Sequence, residues 1–460
     1  MQPVVDVAQL ARADAVAIAD RSLDALVERA GFALAMGARR ALGRTAGVRV
    51  VVWCGPGLNG ADGRVAARVL RRLGAAVRIE EAGVTVLPEA DLVIDAGFGT
   101  GISRAVVPPR LTGAPMVLAA DLPSGVDPVT GAVHGAALEA TATVTFGAMK
   151  PGLCFGEGAR LSGTISVAPL GLTYPDARIF VVGLDDLDGA LHFSPQRHKW
   201  TTAVGVLGGS AGMLGAPGLV ARAALRSGAG MARVLAPTDT LPGAPEAVVV
   251  NRSALDHRGV VAALERCTAL VVGPGLGRSA EVSALVRTVL LLSSQPVVLD
   301  ADGLGAFADV ADLASVLQRR PQGAATVLTP HDGEYRALMG AHPSADRLAA
   351  ATGLANASGA TVLLKGPTTA VVPPDGGTSY LVTDAPASLA TAGTGDVLAG
   401  VLGALLGRTD LDWTAAHRAG VGAAWHGAAG RLGLKVGCLS SDVADLIAEV
   451  ASRRSVDHGG

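Results

Sequence analysis

Short apolar runs alternate with helical patterns along the chain, and this alternation limits the fold more than any other feature of the sequence. In the first half, strands are predicted at 49–53, 76–81, 90–96, 115–121 and 142–147, with a helix from about Gly63 to Leu73. In the second half, a strand opens at AVGVLGG, and others are predicted at 270–275, 296–303, 325–330, 360–366 and 369–374. Strands separated by helices are typical of parallel sheets covered by helices. The sequence therefore predicts an α/β fold in both halves.

The length and one irregular segment predict how the chain divides into domains. A chain of 460 residues is long enough for two or three domains. The regular pattern stops between Gly171 and Lys199, where two prolines and an acidic cluster interrupt it. We predict a first domain over 1–180, a second over 190–453 and a disordered tail over 454–460.

Composition and charge exclude several classes of partner. The net charge is −2 and aromatic residues make up 3% of the chain, so neither a basic field nor stacking platforms for nucleic acid are expected. The longest uncharged apolar stretch, VLAGVLGALLG from Val397, is too short to cross a bilayer. The N-terminus reads as an amphipathic helix and not as a signal peptide. We expect a soluble, cytoplasmic protein that binds neither nucleic acid nor membranes, and the sequence leaves open whether it forms a homo-oligomer.

The segment CGPGLNGADG contains a literal G-x-G-x-x-G that follows an apolar run. This arrangement is typical of dinucleotide sites, in which a pyrophosphate lies at the start of a helix. Asp62 argues against that interpretation, because its carboxylate would repel a phosphate at the helix N-terminus. A glycine turn in which Asp62 only caps the helix remains the structural alternative.

Two further polar loops follow predicted strands in the first half. Asp95 precedes FGTGISR, and Asp121 and Ser124 lie in DLPSG. Ligands bind at the carboxyl edge of a doubly wound sheet, where these loops would meet the first one. Oxygen atoms of Asn59, Asp95 and Ser124 could share a hard cation there.

The motifs LNGADG, FGTG and DLPSG together resemble the N-terminal epimerase domain of bifunctional NAD(P)H-hydrate repair enzymes, with Leu58 and Ala61 departing from the family's NNGGDG. The resemblance implies a Rossmann-like doubly wound sheet and a potassium ion held by Asn59, Asp95 and Ser124. It implies that the hydrated nicotinamide nucleotide contacts Leu58, Asn59, Gly60, Ala61, Asp62, Gly99, Thr100, Gly101, Ile102, Ser103, Arg104, Ala105 and Asp121. Asp121 is our candidate for the acid/base group that handles the proton of the departing and returning water. A capping role for Asp121 is the alternative.

The second half carries a series of glycine-rich segments in the order GGSAGMLGAPG, GPGLGR, LTPHDGE, LLKGPTT and ATAGTGDVLAG. It contains no Walker A loop, so a nucleotide must be bound in another way. Backbone N–H groups of the G-T-G-D turn would form an anion hole at a helix N-terminus, beside Asp396 as a proton acceptor. A glycine turn with a capping aspartate is the alternative for that turn.

This half is similar to ribokinase-like kinases, and most closely to the ADP-dependent NAD(P)H-hydrate dehydratase domain. The resemblance implies that ADP contacts Lys365, Gly366, Pro367, Thr368, Thr369 and Gly395, and that the S hydrate contacts Ala216, Gly275, His331 and Asp396. The segment Asp384 to Pro386 departs from the family pattern. Magnesium is expected with ADP, which would be converted to AMP and phosphate.

The predicted function is the repair of hydrated nicotinamide nucleotides. The first domain would epimerise the R and S hydrates of NADH and NADPH, and the second would dehydrate the S hydrate. The alternative is a small-molecule kinase of the hydroxymethylpyrimidine or pyridoxal type, fused to a non-catalytic N-terminal nucleotide-binding module.

Overall fold

The computed structural model describes residues 1–101, 104–192, 196–383 and 385–457. The chain forms two compact units, Gln2–Ile179 and a second that starts at Phe180 and includes Met1. The α/β class predicted for both halves is confirmed.

The described part of the first unit contains seven strands and four α-helices. In chain order they are β1 (Gln2–Val4), α1 (Val7–Arg21), α2 (Leu23–Leu42), β2 (Arg49–Cys54), α3 (Leu58–Arg72), β3 (Ala76–Glu81), β4 (Leu92–Ala96), β5 (Met116–Ala120), β6 (Ala142–Phe146), α4 (Gly156–Leu161) and β7 (Thr164–Ala168). Six strands form a parallel sheet in the order β3-β2-β4-β5-β6-β7. The chain runs from β2 to one side and then returns to the other, so the topological switch point lies between β2 and β4.

Strand β2 shows why the first unit folds around apolar runs. Val50 and Val52 pack into the core formed with α2 and α3, whereas Val51 and Trp53 pack into a second cluster on the opposite face. Because both faces are buried, the strand sequence is a continuous apolar run without polar alternation.

Helix α3 begins at Leu58 and not near Gly63 as predicted. The amide of Ala61 already donates to the carbonyl of Gly57 at 3.1 Å, so the first helical turn includes most of LNGADG. The predicted loop from Leu58 to Asp62 is therefore the N-terminal turn of a helix.

The second unit is larger and begins with β8 (Ile179–Val181), which spans the boundary. The remaining elements are α5 (Asp188–Leu191), β9 (Ala203–Leu207), α6 (Gly215–Arg226), β10 (Met231–Ala236), β11 (Val248–Asn251), α7 (His257–Leu264), β12 (Ala269–Val272), α8 (Ala280–Leu292), β13 (Val297–Leu299), α9 (Val310–Leu317), β14 (Thr326–Leu328), α10 (Asp332–Met339), α11 (Arg347–Ser358), β15 (Thr361–Leu364), β16 (Thr369–Val372), β17 (Ser379–Val382), α12 (Thr394–Leu406), α13 (Ala415–Leu432) and α14 (Ser440–Asp457).

The strands of this unit lie in the order β8-β17-β16-β15-β14-β13-β12-β9-β10-β11. The strands from β9 to β15 pair in parallel, but β16 is antiparallel to both β15 and β17. The prediction of parallel pairing is wrong for β16, because the connection from Leu364 to Thr369 is too short for the crossover that parallel neighbours require. The switch point of this sheet lies between β9 and β12.

The uncharged stretch near Val397 forms most of α12, which is buried nearly all round its surface. Among the described residues, no helix combines the length and apolar character needed to span a membrane.

The last helix, α14, continues to Asp457, so the predicted tail from 454 begins inside this helix. Arg454 forms ion pairs with Asp188 at 2.9 Å and Asp185 at 2.8 Å, which hold this end of the helix on α5. Residues 458–460 lie outside the described residues.

Candidate active sites

The first glycine motif is shaped by close backbone packing at the switch point of the first unit. The amide of Gly55 donates to the carbonyl of Ala96 at 3.0 Å, which joins the ends of β2 and β4. A Cβ atom on Gly55 would lie 1.7 Å from the carbonyl oxygen of Gly97, and one on Gly60 would lie 1.9 Å from that of Gly55. No atom lies within 4 Å of the corresponding position at Gly57. Gly55 therefore allows the ends of β2 and β4 to meet, and Gly60 allows α3 to begin close to the end of β2.

A cavity of about 660 Å³ opens beside this turn. The predicted residues that line it are Leu58, Asn59, Asp62, Gly99, Thr100, Gly101, Arg104 and Asp121. Gly60, Ala61 and Ala105 are not among the lining residues, and Ile102 and Ser103 lie outside the described residues. The structure therefore brings residues from all three predicted loops to one cavity.

Sequence reasoning missed the apolar wall of this cavity and one of its acids. Side chains from α1 and α2 form much of the wall, and Asp14 of α1 also faces the cavity. Burial raises the pKa of Asp14. The nearby positive charge of Lys150 opposes this increase, and the negative charge of Asp121 adds to it. The amphipathic pattern near the N-terminus predicted a helix at α1, but such a pattern does not show which part of the protein the apolar face of the helix packs against.

The three residues expected to hold potassium lie close to the same turn. The Ser124 hydroxyl donates to Asp95 Oδ1 at 2.5 Å, and the Ser124 amide donates to Oδ2 at 2.8 Å. The Asn59 side chain donates through Nδ2 to the carbonyl of Ala120 at 2.9 Å and lines the cavity. Asp95 is fully buried, and burial raises its pKa although the bonds from Ser124 and Gly97 oppose this. Asp95 and Ser124 are in contact, and Asn59 lies on an adjoining element.

Asp121 is held by a buried lysine that the sequence did not identify as functional. Lys150 is 1% exposed, and its Nζ donates to Asp121 Oδ1, to the Thr145 hydroxyl at 2.9 Å and to the Phe146 carbonyl at 2.6 Å. The Phe146 amide also donates to Asp121 Oδ1, at 3.1 Å. The backbone of Asp121 has a φ of 69°, the left-handed region that few residues other than glycine adopt. This cluster fixes one carboxylate oxygen and leaves Oδ2 facing Gly99.

Asp62 has different surroundings, although it lines the same cavity. It is 6% exposed and lies in the first turn of α3. Burial, increased by the like charge of Asp121, raises the pKa of Asp62 to about 8. Asp62 is therefore protonated at neutral pH.

In the second unit, Ala216 and Gly275 meet at the switch point. Gly275 has a φ of 64°, and a Cβ atom there would lie 3.2 Å from the Cβ of Ala216. The Ser210 hydroxyl donates to the carbonyl of Gly275 at 2.9 Å, which ties the loop after β9 to the loop after β12. These two predicted substrate residues are therefore neighbours.

His331 caps α10 and also lines a separate cavity of about 230 Å³. Its Nδ1 accepts from the amides of Gly333 at 2.9 Å and Glu334 at 3.3 Å. The side chain is 59% exposed, so the capping role leaves much of the ring accessible.

Lys365 and Asp396, predicted as nucleotide-binding and catalytic residues, belong to one charged cluster. Lys365 Nζ lies 2.9 Å from Asp300 Oδ1 and 3.7 Å from Glu334 Oε2. Burial opposes the charge of Lys365, but these two carboxylates outweigh it and raise its pKa. Burial and the charge of Asp300, opposed by Lys365, raise the pKa of Asp396 to about 7. Glu334 stands in the motif LTPHDGE and Asp300 in the predicted strand 296–303, but neither was predicted to have a role.

The G-T-G-D turn starts α12 as predicted. Gly393 is its N-cap with a φ of 90°, and a Cβ atom on Gly395 would lie 3.7 Å from Lys365 Nζ. Gly366, Pro367, Thr368 and Thr369 directly follow Lys365 in the chain. Thr368 and Thr369 are buried. Asp384 lies outside the described residues. Lys365 and Gly395 therefore meet at the N-terminus of α12.

His426 of α13 is a buried residue that sequence reasoning missed. Burial, together with the nearby Lys365, lowers its pKa to about 4, although a backbone hydrogen bond with Thr394 opposes this. A neutral imidazole therefore contacts the first residue of α12.

No group of three or more His, Cys, Asp or Glu side chains suited to a metal ion occurs in the described ranges. The potassium and magnesium predictions rest on amide, hydroxyl and phosphate oxygens in addition to carboxylates, and they remain predictions.

Comparisons with known proteins support the division into two functional units. The family profile described as NAD(P)H-hydrate dehydratase matches residues 204–451, and that of the YjeF-related protein N-terminus matches residues 23–90 and 79–152. The bifunctional NAD(P)H-hydrate repair enzyme Nnr of Mycobacterium tuberculosis is 38% identical over 431 residues, which cover 86% of this chain and 87% of that protein.

Among solved structures, a ribokinase-like superfamily protein of Enterococcus faecalis V583 has a TM-score of 0.50 and 22% identity, and covers 60% of this chain and 96% of that chain. An ADP/ATP-dependent NAD(P)H-hydrate dehydratase of Bacillus subtilis, co-crystallised with ATP and Mg²⁺, has a TM-score of 0.47 and 24% identity, and covers 59% of this chain and 98% of that chain. The first likeness supports the ribokinase-like fold of the second unit. From the sequence matches, the chain belongs to the family of bifunctional NAD(P)H-hydrate repair enzymes, which combine an NAD(P)H-hydrate epimerase with an NAD(P)H-hydrate dehydratase.

Proposed function

We propose that the first unit interconverts the R and S hydrates of NADH and NADPH, and that the second unit dehydrates the S hydrate with ADP, giving AMP and phosphate. The observation that carries this proposal is the position of Asp396, a buried carboxyl group in the first turn of α12 beside Lys365. A pKa of about 7 makes this group a proton acceptor suited to neutral pH.

The proposed dehydration replaces a poor leaving group with a better one. Asp396 accepts the proton of the C6 hydroxyl as that oxygen attacks the β-phosphorus of ADP, and AMP departs. The ring nitrogen lone pair then expels phosphate from C6, and loss of a proton from C5 restores the dihydronicotinamide. Lys365 and the N–H groups at the start of α12 would stabilise negative charge on the transferred phosphoryl group. Ala216, Gly275 and His331 would position the hydrate.

Magnesium fits the chemistry of this site, since phosphate oxygens and nearby carboxylates are the ligands it prefers. Asp300 and Glu334 are the carboxylates closest to Lys365 Nζ. Bound with ADP, the ion would neutralise phosphate charge. Lys365 would supply a second, fixed positive charge for the same group.

The proposed epimerase site is the cavity of the first unit. Inversion at C6 requires the C6–O bond to open with help from the ring nitrogen and a carboxyl group to handle the proton of water. Asp62 and Asp121 are both available there, and Asn59, Arg104 and the glycine loop from Gly99 would hold the nucleotide.

Potassium fits the donors beside that cavity. Asp95 is buried with only neutral donors, Ser124 and Gly97, contacting it among the described residues. A buried carboxylate without a cationic partner is costly, and a bound cation would offset that cost. Asp95, Ser124 and the Asn59 amide oxygen would hold the ion, which would supply a fixed positive charge next to the substrate.

The test uses the purified full-length chain and a mixture of R and S hydrates of NADH. ADP with magnesium should restore the dihydronicotinamide absorbance for both epimers, whereas omission of ADP should leave it unchanged. Absence of ADP-dependent recovery would refute the dehydratase assignment. Recovery of the S fraction alone, where spontaneous epimerisation is slow, would refute the epimerase assignment.

Exchange of potassium for sodium separates the cation proposal from the rest. Loss of R hydrate recovery with unchanged S hydrate recovery is the expected result. Equal rates of R hydrate recovery in the two salts would contradict the potassium proposal.

A further inference from the structure

Three carboxyl groups, those of Asp14, Asp62 and Asp121, line the cavity of the first unit, and among the described residues only Asp121 forms an ion pair with a cationic side chain. Lys150, the Phe146 amide and the Thr145 hydroxyl all donate to Asp121 Oδ1. The side chain of Asp62 forms no hydrogen bond or ion pair with the described residues, although Asp62 is 6% exposed and lines the same cavity. A buried pair of acids with such unequal surroundings is the arrangement that separates acid and base roles in enzymes.

The charged groups around the cavity include no cation that contacts the Asp62 side chain among the described residues. Asp14 approaches from α1, Asp121 follows β5, and Arg104 lies in the loop after β4. On the side of α3 that packs against α2, Arg68 forms an exposed ion pair with Glu28. None of these cations contacts Asp62 among the described residues, so its carboxyl group keeps its proton at neutral pH, consistent with its raised pKa.

We propose that Asp62 gives and takes the proton at the C6 hydroxyl during epimerisation, while the Asp121 carboxylate stabilises the cationic ring formed between the two steps. This inference rests on the proposed epimerase function and assigns its proton transfer to a different residue from the one the sequence suggested. Asp121 is less suited to donate a proton, because its Oδ1 already accepts hydrogen bonds from Lys150, Thr145 and Phe146.

The proposed step conserves atoms and charge. The Asp62 carboxyl group donates its proton to the C6 hydroxyl, the C6–O bond breaks with its electron pair remaining on oxygen, and water leaves. The N1 lone pair forms an N1=C6 iminium, whose positive charge is near the free Oδ2 of Asp121. Water then adds to the opposite face of C6, and its proton returns to the Asp62 carboxylate.

The experiment compares Asp62→Asn with wild type in the full chain, using R to S interconversion of the hydrate of NADH without ADP. Wild type must first interconvert the epimers faster than buffer; if it does not, the proposed function itself fails. For Asp62→Asn we expect kcat to fall about 10²-fold to 10⁴-fold with little change in KM, the range typical of a lost general acid. Asp24→Asn, an exposed carboxyl in the first turn of α2, is the matched control and should keep wild-type rates.

A second variant distinguishes proton transfer from a structural role. Asp62→Glu keeps the carboxyl group and should recover part of kcat, with a pH profile displaced from that of wild type. Wild-type activity should decline as the pH rises above about 8, because the Asp62 proton is then lost. A wild-type rate in Asp62→Asn, or a loss seen only in KM with the wild-type pH profile retained, would overturn the proposal.

Discussion

Replacing Asp396 with Asn should abolish dehydration and yet stabilise the second unit at alkaline pH. The pKa of Asp396 is raised from 3.8 to about 7, with burial as the main cause. Between these two values the folded state retains a proton that the unfolded state has released. The favourable contribution of this group is therefore present in full below pH 3.8 and is lost as the pH rises through about 7.

The magnitude follows from the size of the shift. A difference of about 3 pKa units at 1.36 kcal/mol per unit corresponds to about 4 kcal/mol, which is an upper bound for one group in a charged cluster. Asn cannot ionise, so Asp396→Asn should lack this pH-dependent loss. Its stability relative to wild type should increase between pH 4 and pH 8.

The assay is urea unfolding followed by tryptophan fluorescence at several pH values. Trp200, Trp413 and Trp425 lie in the second unit and report its transition, whereas Trp53 reports the first. A difference between variant and wild type that does not change with pH would refute the reasoning. Loss of ADP-dependent turnover, with nucleotide affinity largely retained, should accompany the change in stability.

Three further predictions address both sites. Gly55→Ala should disrupt the first unit and abolish epimerisation, because the new Cβ would lie 1.7 Å from the Gly97 carbonyl oxygen. Gly57→Ala is the control and should fold normally, because no atom lies within 4 Å of its Cβ position. Thermal unfolding compares the two variants, and equal melting temperatures would contradict the prediction. Lys150→Met should destabilise the first unit by about 3–5 kcal/mol by leaving a buried aspartate unpaired; an unchanged urea midpoint would refute this. With saturating ADP, dehydration should fall about tenfold per pH unit well below 7 as Asp396 is protonated, and a flat kcat profile would exclude it as the base.

The sequence located most of the residues at both candidate sites because their signals are local. Glycine turns and polar residues at strand ends can be read within a few positions, and the α/β rule predicts that such ends meet at one edge of a sheet. Asp62, Asp121 and Asp396 were found in this way, whereas Lys365 was implied by the family resemblance. The rule predicts that these residues lie at the same edge of a sheet, but it does not predict how their side chains are arranged.

The start of α3 and the direction of β16 were not predicted correctly. A glycine motif is compatible with either a loop or a helical turn, and packing of Gly55 and Gly60 against neighbouring carbonyls selects the helical turn here. Strands β15 and β16 are both apolar, so their composition does not distinguish parallel from antiparallel pairing. The short connection between them decides that they are antiparallel.

The sequence by itself determined the α/β class and the motifs that identify the family. Only the tertiary structure decided which acid has a cationic partner. Lys150 is far from Asp121 along the chain, but the fold buries the two together, whereas Asp62 is buried without a cation. Ionisation depends on the solvent and charges around a group in three dimensions, so two aspartates that look alike in a sequence acquire different chemistry in the fold.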